Sequence, residues 1–139
     1  SADLGVDTIY GFVQGATGDT FDVSAILNSH FELFPIVARG SAPNAYFDDG
    51  ILRLIGSNIA TATEVSEAFK LGGGFETLSI SSGASALIIS AESQSTGEDQ
   101  FVFVAESDRG DILITQLAVL HGNALDIDQW HTDNFSIFA

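Results

Sequence analysis

Short apolar runs separated by turn-forming residues are the feature that most limits the folds open to this chain of 139 residues. In the C-terminal half these runs cover residues 86–91, 100–105 and 111–120, with polar turns between them. Runs of this length, rich in Val, Ile and Phe, are typical of β-strands, and their regular spacing favours a sandwich or a roll. We therefore predict a mainly-β fold, an antiparallel β-sandwich or a β-roll-like structure, that forms a single domain over residues 1–139.

The N-terminal half carries two further strand signals and one hairpin signal. Residues 8–13 and 20–27 form apolar or alternating runs that lie next to turn-forming residues. The sequence Asp48-Asp49-Gly50 lies between the runs 45–47 and 51–55, and an Asp-Gly pair between apolar runs is typical of a tight hairpin. We predict strands in these runs, and we predict that residues 45–47 pair antiparallel with residues 51–55.

One short helix is predicted near residues 61–71. Thr61 precedes Glu64 by three residues, which is the spacing of a capping box at a helix N-terminus. An apolar stripe at helical spacing follows, and the glycines at 72–74 are typical of a helix C-terminus. The stripe consists of Val65, Ala68 and Phe69.

The charge of the chain excludes several classes of partner. Nineteen Asp and Glu residues against four Lys and Arg residues give a net charge of −15. This is the wrong sign for binding phosphates, so we expect no nucleic-acid partner, and no apolar run approaches the ~20 residues of a membrane helix, so we expect no membrane insertion. Most carboxylates lack a basic partner, and their repulsion must be relieved by solvent, salt or bound cations. The absence of cysteine excludes disulfides, thiolate zinc sites and Cys nucleophiles.

Both ends of the chain resemble a known family. Residues 5–12, GVDTIYGF, and residues 18–26, GDTFDVSAI, resemble the pattern DTI-x-x-F … D-x-x-D-[LV]-S-A-[IL] that closes the calcium-binding β-roll of RTX, or hemolysin-type, proteins. The acidic-then-apolar end, residues 133–139 (DNFSIFA), is similar to the uncleaved C-terminal signals of type I export. The signature nonapeptide G-G-x-G-x-D-x-U-x of the family is absent.

The resemblance implies a function. The chain would be the C-terminal domain that follows the repeats, a non-enzymatic, calcium-responsive folding cap and type I export region of a secreted or cell-surface protein. Its partners would be calcium ions and the type I secretion machinery, with self-association or a surface glycan as further partners. The alternative class is a secreted carbohydrate-binding module, a lectin or adhesin, which exposed aromatic residues would favour. The aromatic residues that would carry it are Tyr46, Phe47 and Trp130.

Five aspartates are the candidate calcium ligands. Calcium takes six to eight oxygen ligands, and loop aspartates beside backbone carbonyls supply them. The first group lies near the N-terminus and the second near the C-terminus, and in both the alternative is that the residues form turns or face solvent. The candidates are Asp7, Asp19 and Asp22 in the first group, and Asp126 and Asp128 in the second.

The sequence predicts no catalytic site. The three histidines, His30, His121 and His131, lie in no G-x-S-x-G or H-E-x-x-H pattern. A small hydrolase stays the third class of function, and a histidine bonded to a serine in a cleft would favour it. At the chain end, we expect Phe135 to pack in the domain and the last residues to form a terminal strand or a loosely held tail.

Overall fold

The computed structural model describes more than half of the chain. The described residues are 7–10, 20–22, 38–39, 44–48, 51–70, 72–75, 78–80, 85–93, 97–108, 111–122, 127, 130 and 134–136.

Ten strands and one helix occur in these ranges. In chain order they are β1 (Asp7–Tyr10), β2 (Phe21–Asp22), β3 (Ala38–Arg39), β4 (Ala45–Asp48), β5 (Ile51–Ile55), α1 (Ala62–Phe69), β6 (Ser79–Ile80), β7 (Ser85–Ala91), β8 (Gln100–Asp108), β9 (Asp111–His121) and β10 (Phe135–Ser136). The mainly-β prediction with one short helix is therefore confirmed. The helix ends two residues before the predicted boundary of 71.

The main sheet has six strands in the order β1-β9-β8-β7-β5-β4. Hairpins join β4 to β5 and β8 to β9, and β7 also pairs antiparallel with β8. Two pairings are parallel, β5 with β7 and β1 with β9. The sheet is therefore mixed, and its parallel pairs were not part of the antiparallel β-sandwich, one of the two predicted architectures. The reason is that α1 lies between β5 and β7 in the chain, and a crossover of this kind returns the chain in the same direction.

Two smaller sheets accompany the main one. Strand β10 pairs in parallel with β2, and β3 pairs antiparallel with β6. Strand β10 thus includes Phe135, whereas the packing of its side chain and residues 137–139, which were expected to form a terminal strand or a loosely held tail, lie outside the described part of the chain. The pairing of β10 with β2 joins residues 135–136 to residues 21–22 of the N-terminal part of the chain.

Both faces of the main sheet are buried. Along β7, Ala86 and Ile88 belong to one hydrophobic cluster, and Leu87 and Ile89 belong to a second cluster on the opposite face. Helix α1 covers the first face with Val65 and Phe69, which lie on its apolar side. The second face is covered by residues from the C-terminal segment, Ile127 and Trp130. Burial on both faces explains why residues 86–91 form an almost continuous apolar run.

The ends of α1 follow the predicted signals. The side chain of Thr61 accepts a hydrogen bond from the backbone N–H of Glu64 at 3.2 Å, and the Glu64 carboxylate accepts one from the N–H of Ala60 at 3.1 Å. These bonds satisfy two donors at the N-terminus. After the helix, Gly73 approaches the last turn so closely that a Cβ atom would lie 2.6 Å from the carbonyl oxygen of Glu67. A side chain at this position would collide with the backbone of the helix.

Two leucines of β9 differ in burial, and substituting each of them tests which part of the strand is buried. Leu120 has no exposed surface, whereas 64% of Leu113 is exposed. We expect Leu120→Ala to lower the free energy of unfolding by about 3 kcal/mol, because the change removes buried methyl groups and leaves a cavity. We expect the matched change Leu113→Ala to cost less than about 0.5 kcal/mol. Urea unfolding followed by circular dichroism measures both, and equal costs would contradict the burial of the C-terminal half of β9.

Candidate functional site

Several strands end together at one end of the main sheet. Tyr10 at the end of β1 lies beside His121 at the end of β9, and Ile55 at the end of β5 lies beside Ala91 at the end of β7. Gln100 begins β8 next to Ala91. We call this end of the sheet the upper end. The chain segments that leave these strands, residues 56–60, 92–93, 97–99 and 122, meet there.

An exposed aromatic and ionic cluster lies at the upper end. The rings of Tyr10 and His121 stack, with their centroids 5.1 Å apart and an interplanar angle of 21°. The Nδ1 atom of His121 lies 3.1 Å from Oδ2 of Asp99. The other carboxylate oxygen of Asp99 accepts a hydrogen bond from the N–H of Gly122 at 3.0 Å. Asp99 thus holds the histidine ring, and Tyr10 remains 75% exposed.

A cavity of about 280 Å³ adjoins this cluster and shares Asp99 with it. One part of its lining is apolar and includes Ile59 and Phe101, and the other part carries Asn58, Glu92 and Glu98. Its walls are held in place by hydrogen bonds. The Glu98 carboxylate accepts bonds from the backbone N–H and the hydroxyl of Ser93, at 3.0 and 2.8 Å.

The loop 56–60 forms the opposite wall of this cavity. The hydroxyl of Ser90 donates to the carbonyl oxygen of Ile59, and the Gln116 amide donates to that of Ala60 at 2.8 Å. Asn58 adopts a left-handed backbone conformation with φ of 60°, which Asn tolerates better than most residues. The loop is therefore fixed to the sheet by these hydrogen bonds.

A second, wider cavity of about 530 Å³ lies on the other side of the same loop. It runs between this loop and α1 and is lined by Asn44, Thr63, Glu67 and Phe75, among others. Asp99 lines the first cavity but is not among the described residues that line this one. The second cavity therefore does not share a residue with the aromatic and ionic cluster.

A buried polar cluster binds the C-terminal segment to the sheet. Arg53 lies in the middle of β5 and is only 1% exposed. Its guanidinium donates to the carbonyl oxygen of Ile127 through Nη1 and to that of Trp130 through Nη2, the latter at 2.9 Å. It also lies 5.8 Å from the ring centroid of Tyr46. The indole N–H of Trp130 donates to the side-chain oxygen of Gln100 at 2.6 Å.

The predicted calcium ligands are only partly described. Asp7 lies on β1 of the main sheet, and Asp22 lies on β2 of a different sheet. Asp19, Asp126 and Asp128 lie outside the described residues. Within the described part of the chain, no group of three or more His, Asp or Glu side chains is placed to hold a metal ion. The calcium site therefore stays a prediction.

The other sequence-based candidates have separate outcomes. His121 contacts Asp99 and Tyr10, whereas His30 and His131 lie outside the described residues. Trp130 is 2% exposed, so the three aromatic residues proposed for a lectin surface are not exposed together. The cluster of Tyr10, His121 and Asp99 was missed. The sequence signal that could have indicated it is an aromatic residue at the end of one strand and a histidine at the end of another.

Comparison with known proteins adds no relative. No protein-family model matches the chain, and neither a curated protein nor a solved structure matches it. In the part of the chain that the structure describes, no helix is long and apolar enough to cross a membrane.

Proposed function

We propose that this chain is a non-enzymatic, calcium-responsive structural module of a secreted or cell-surface protein, which acts as a folding cap and carries a type I export region at its C-terminal end. The observation that best supports this proposal is the attachment of the C-terminal segment to the main sheet. Ile127 and Trp130 cover one face of the sheet, and Arg53 and Gln100 bind them through hydrogen bonds. Ile127 and Trp130, which precede the residues 133–139 that resemble an export signal, are thus part of the core once the chain has folded.

The distribution of charge supports a response to cations. Among the described carboxylates, Glu67 pairs with Lys70 at 2.9 Å and Asp99 pairs with His121. Five other carboxylates whose side chains the structure describes have no described basic side chain within 4.0 Å; they are Glu64, Glu92, Glu98, Glu106 and Asp111. A net charge of −15 on a compact chain raises its free energy through self-repulsion.

This repulsion provides the proposed mechanism. Where calcium is scarce, as in the cytosol, uncompensated carboxylates favour an expanded chain that can be exported. Outside the cell, calcium binds the folded form and not the unfolded one, and its binding free energy is added to the stability of the fold. The candidate ligands are the aspartates near the two ends of the chain, Asp7, Asp19 and Asp22, and Asp126 and Asp128.

Calcium should raise the melting temperature. At a calcium concentration 100 times the dissociation constant, binding to the folded state adds about 2.7 kcal/mol, which corresponds to about 10 °C for a domain of this size. Circular dichroism melts in calcium and in EDTA, at matched ionic strength, measure this difference. Magnesium at the same concentration is the control for screening, because it demands a stricter geometry.

Two sets of variants locate the effect. Asp7→Asn, Asp19→Asn and Asp22→Asn together should remove the calcium-dependent part of the melting temperature if the N-terminal group binds, and Asp126→Asn with Asp128→Asn tests the second group. Glu106→Gln with Asp111→Asn removes two negative charges elsewhere and should leave the calcium response unchanged. Equal melting temperatures of the unmodified chain in calcium and in EDTA would overturn the calcium-responsive part of the proposal.

A further inference from the structure

We infer that the upper end of the main sheet binds a neutral pyranose sugar, which stacks on the ring of Tyr10 and whose hydroxyls donate hydrogen bonds to Asp99 and to the polar side of the adjoining cavity. This inference goes beyond the proposed function and does not depend on calcium. It requires only the aromatic and ionic cluster and the cavity that shares Asp99 with it.

The exposed ring of Tyr10 provides the stacking surface. A large aromatic side chain in water is a surface that gains from being covered, and 75% of Tyr10 is exposed. Stacking against His121 fixes the orientation of the ring, so little freedom is lost when a ligand covers it. The electron-rich face of an aromatic ring attracts groups with positive partial charge, and the C–H groups on one face of a pyranose ring are such groups.

The carboxylates of Asp99 and Glu98 provide acceptors at the upper end of the sheet. Asp99 receives a hydrogen bond from Gly122 and a contact from His121, and Glu98 receives two bonds from Ser93. An ionised carboxylate offers about four acceptor positions. Each therefore keeps capacity for a ligand hydroxyl, while its orientation is set by the protein. Hydroxyls that donate to carboxylates form charge-assisted hydrogen bonds, which are stronger than neutral ones.

The shape and lining of the cavity favour a small ligand with both polar and apolar surface. A volume of about 280 Å³ lies at the lower end of the range of ligand pockets and suits one sugar ring better than an extended chain. Ile59 and Phe101 line one part, and Asn58 lines the polar part, where its amide can both donate and accept. A metal cation would bind the oxygen atoms alone and would leave the apolar part of the lining, Ile59 and Phe101, unused.

Saturation-transfer NMR with the methyl glycosides of galactose, glucose, mannose and N-acetylglucosamine tests the inference. The full chain is used, once in EDTA and once in calcium. We expect at least one glycoside to bind in both buffers, with a dissociation constant in the millimolar range, as suits a ligand of about a dozen heavy atoms. Because the ligand is neutral, the affinity should not change between low and high salt.

Variants of Tyr10 and Asp99 identify the surface. Tyr10→Leu keeps an apolar side chain but removes the flat ring, and we expect it to weaken binding about ten-fold or more. Tyr10→Phe keeps the ring and should bind within about two-fold of the unmodified chain. Asp99→Asn should weaken binding, whereas Leu113→Ala, which changes the other large exposed apolar residue among those described, should have no effect.

Three results would overturn the inference. The first is that none of the four glycosides binds in either buffer. The second is that Tyr10→Leu binds as well as Tyr10→Phe while circular dichroism shows both to be folded. The third is that lysine methyl ester, a cationic probe, binds to the upper end in a salt-dependent way and the glycosides do not. A failure of the calcium response would leave these results unaffected, so the two proposals can fail separately.

Discussion

The substitution Arg53→Ala is expected to lower the free energy of unfolding by about 3–5 kcal/mol, the largest effect of any single change considered. Arg53 is buried in β5 and donates hydrogen bonds to the carbonyl oxygens of Ile127 and Trp130. Each buried acceptor that loses its donor costs about 1–3 kcal/mol, and the truncated side chain also leaves a cavity. A loss of this size is a large fraction of the stability of an ordinary domain.

Three further variants separate the contributions of Arg53. Arg53→Lys keeps the positive charge but replaces the planar fork by one ammonium group, so we expect an intermediate loss. Arg53→Met keeps most of the volume without donors, and its cost relative to Arg53→Ala measures packing alone. Lys70→Ala removes an exposed cation that pairs with Glu67 and should cost less than about 0.5 kcal/mol.

Urea unfolding, followed with two probes, tests the prediction for Arg53. Circular dichroism reports on the sheet, and the fluorescence of Trp130, the single tryptophan of the chain, reports on the C-terminal segment. In the unmodified chain the two transitions should coincide, because the guanidinium and the indole bind the segment directly to β5 and β8. If Arg53→Ala shifted the transition no more than Lys70→Ala, Arg53 would not hold the segment to the sheet.

Local features of the fold could be predicted from the sequence. The capping residues Thr61 and Glu64 lie three positions apart, and the structure places a helix start there. The antiparallel pairing of β4 with β5 was also predicted correctly, as were the runs that form β7, β8 and β9. These signals involve residues that are close in the chain, so their physical causes lie within a few residues of sequence.

Parallel pairing and buried polar contacts could not be predicted in this way. Strand β1 pairs with β9 across more than a hundred residues, and no turn chemistry specifies such a partner. Arg53 binds Ile127 at a sequence separation of 74, and an arginine inside an apolar run indicates only that some partner must exist. The contact between Asp99 and His121 could not be predicted for the same reason, because it depends on how β8 and β9 align.

The residues of the candidate site show the same contrast between what nearby residues determine and what distant residues determine. Individual residue types were recognised from the sequence, and three histidines and five aspartates were considered. Of the three histidines the structure describes His121, which lies beside Tyr10 because β1 and β9 end side by side. Tyr10 lies within the RTX-like residues 5–12, but that resemblance gave it no role in a site. Trp130, whose exposure together with Tyr46 and Phe47 would have favoured a lectin, covers the sheet, because its indole N–H has a buried acceptor in Gln100.

Removal of residues 134–139 is expected to abolish export through a type I system, since the resemblance to RTX proteins assigns the signal to this end. The truncation also removes β10, which pairs with β2, and Asn134, which has no exposed surface, so it destabilises the folded domain as well. Loss of stability must therefore be separated from loss of the signal.

Leu120→Ala is the matched control, because it is expected to cost about 3 kcal/mol while the C-terminal end stays intact. Export acts on a chain that has not yet folded, so this control should be secreted in normal amounts, as measured by immunoblot of medium and cells. Normal secretion of the truncated chain would remove the export role, and equal loss of secretion in Leu120→Ala would assign the effect to stability alone.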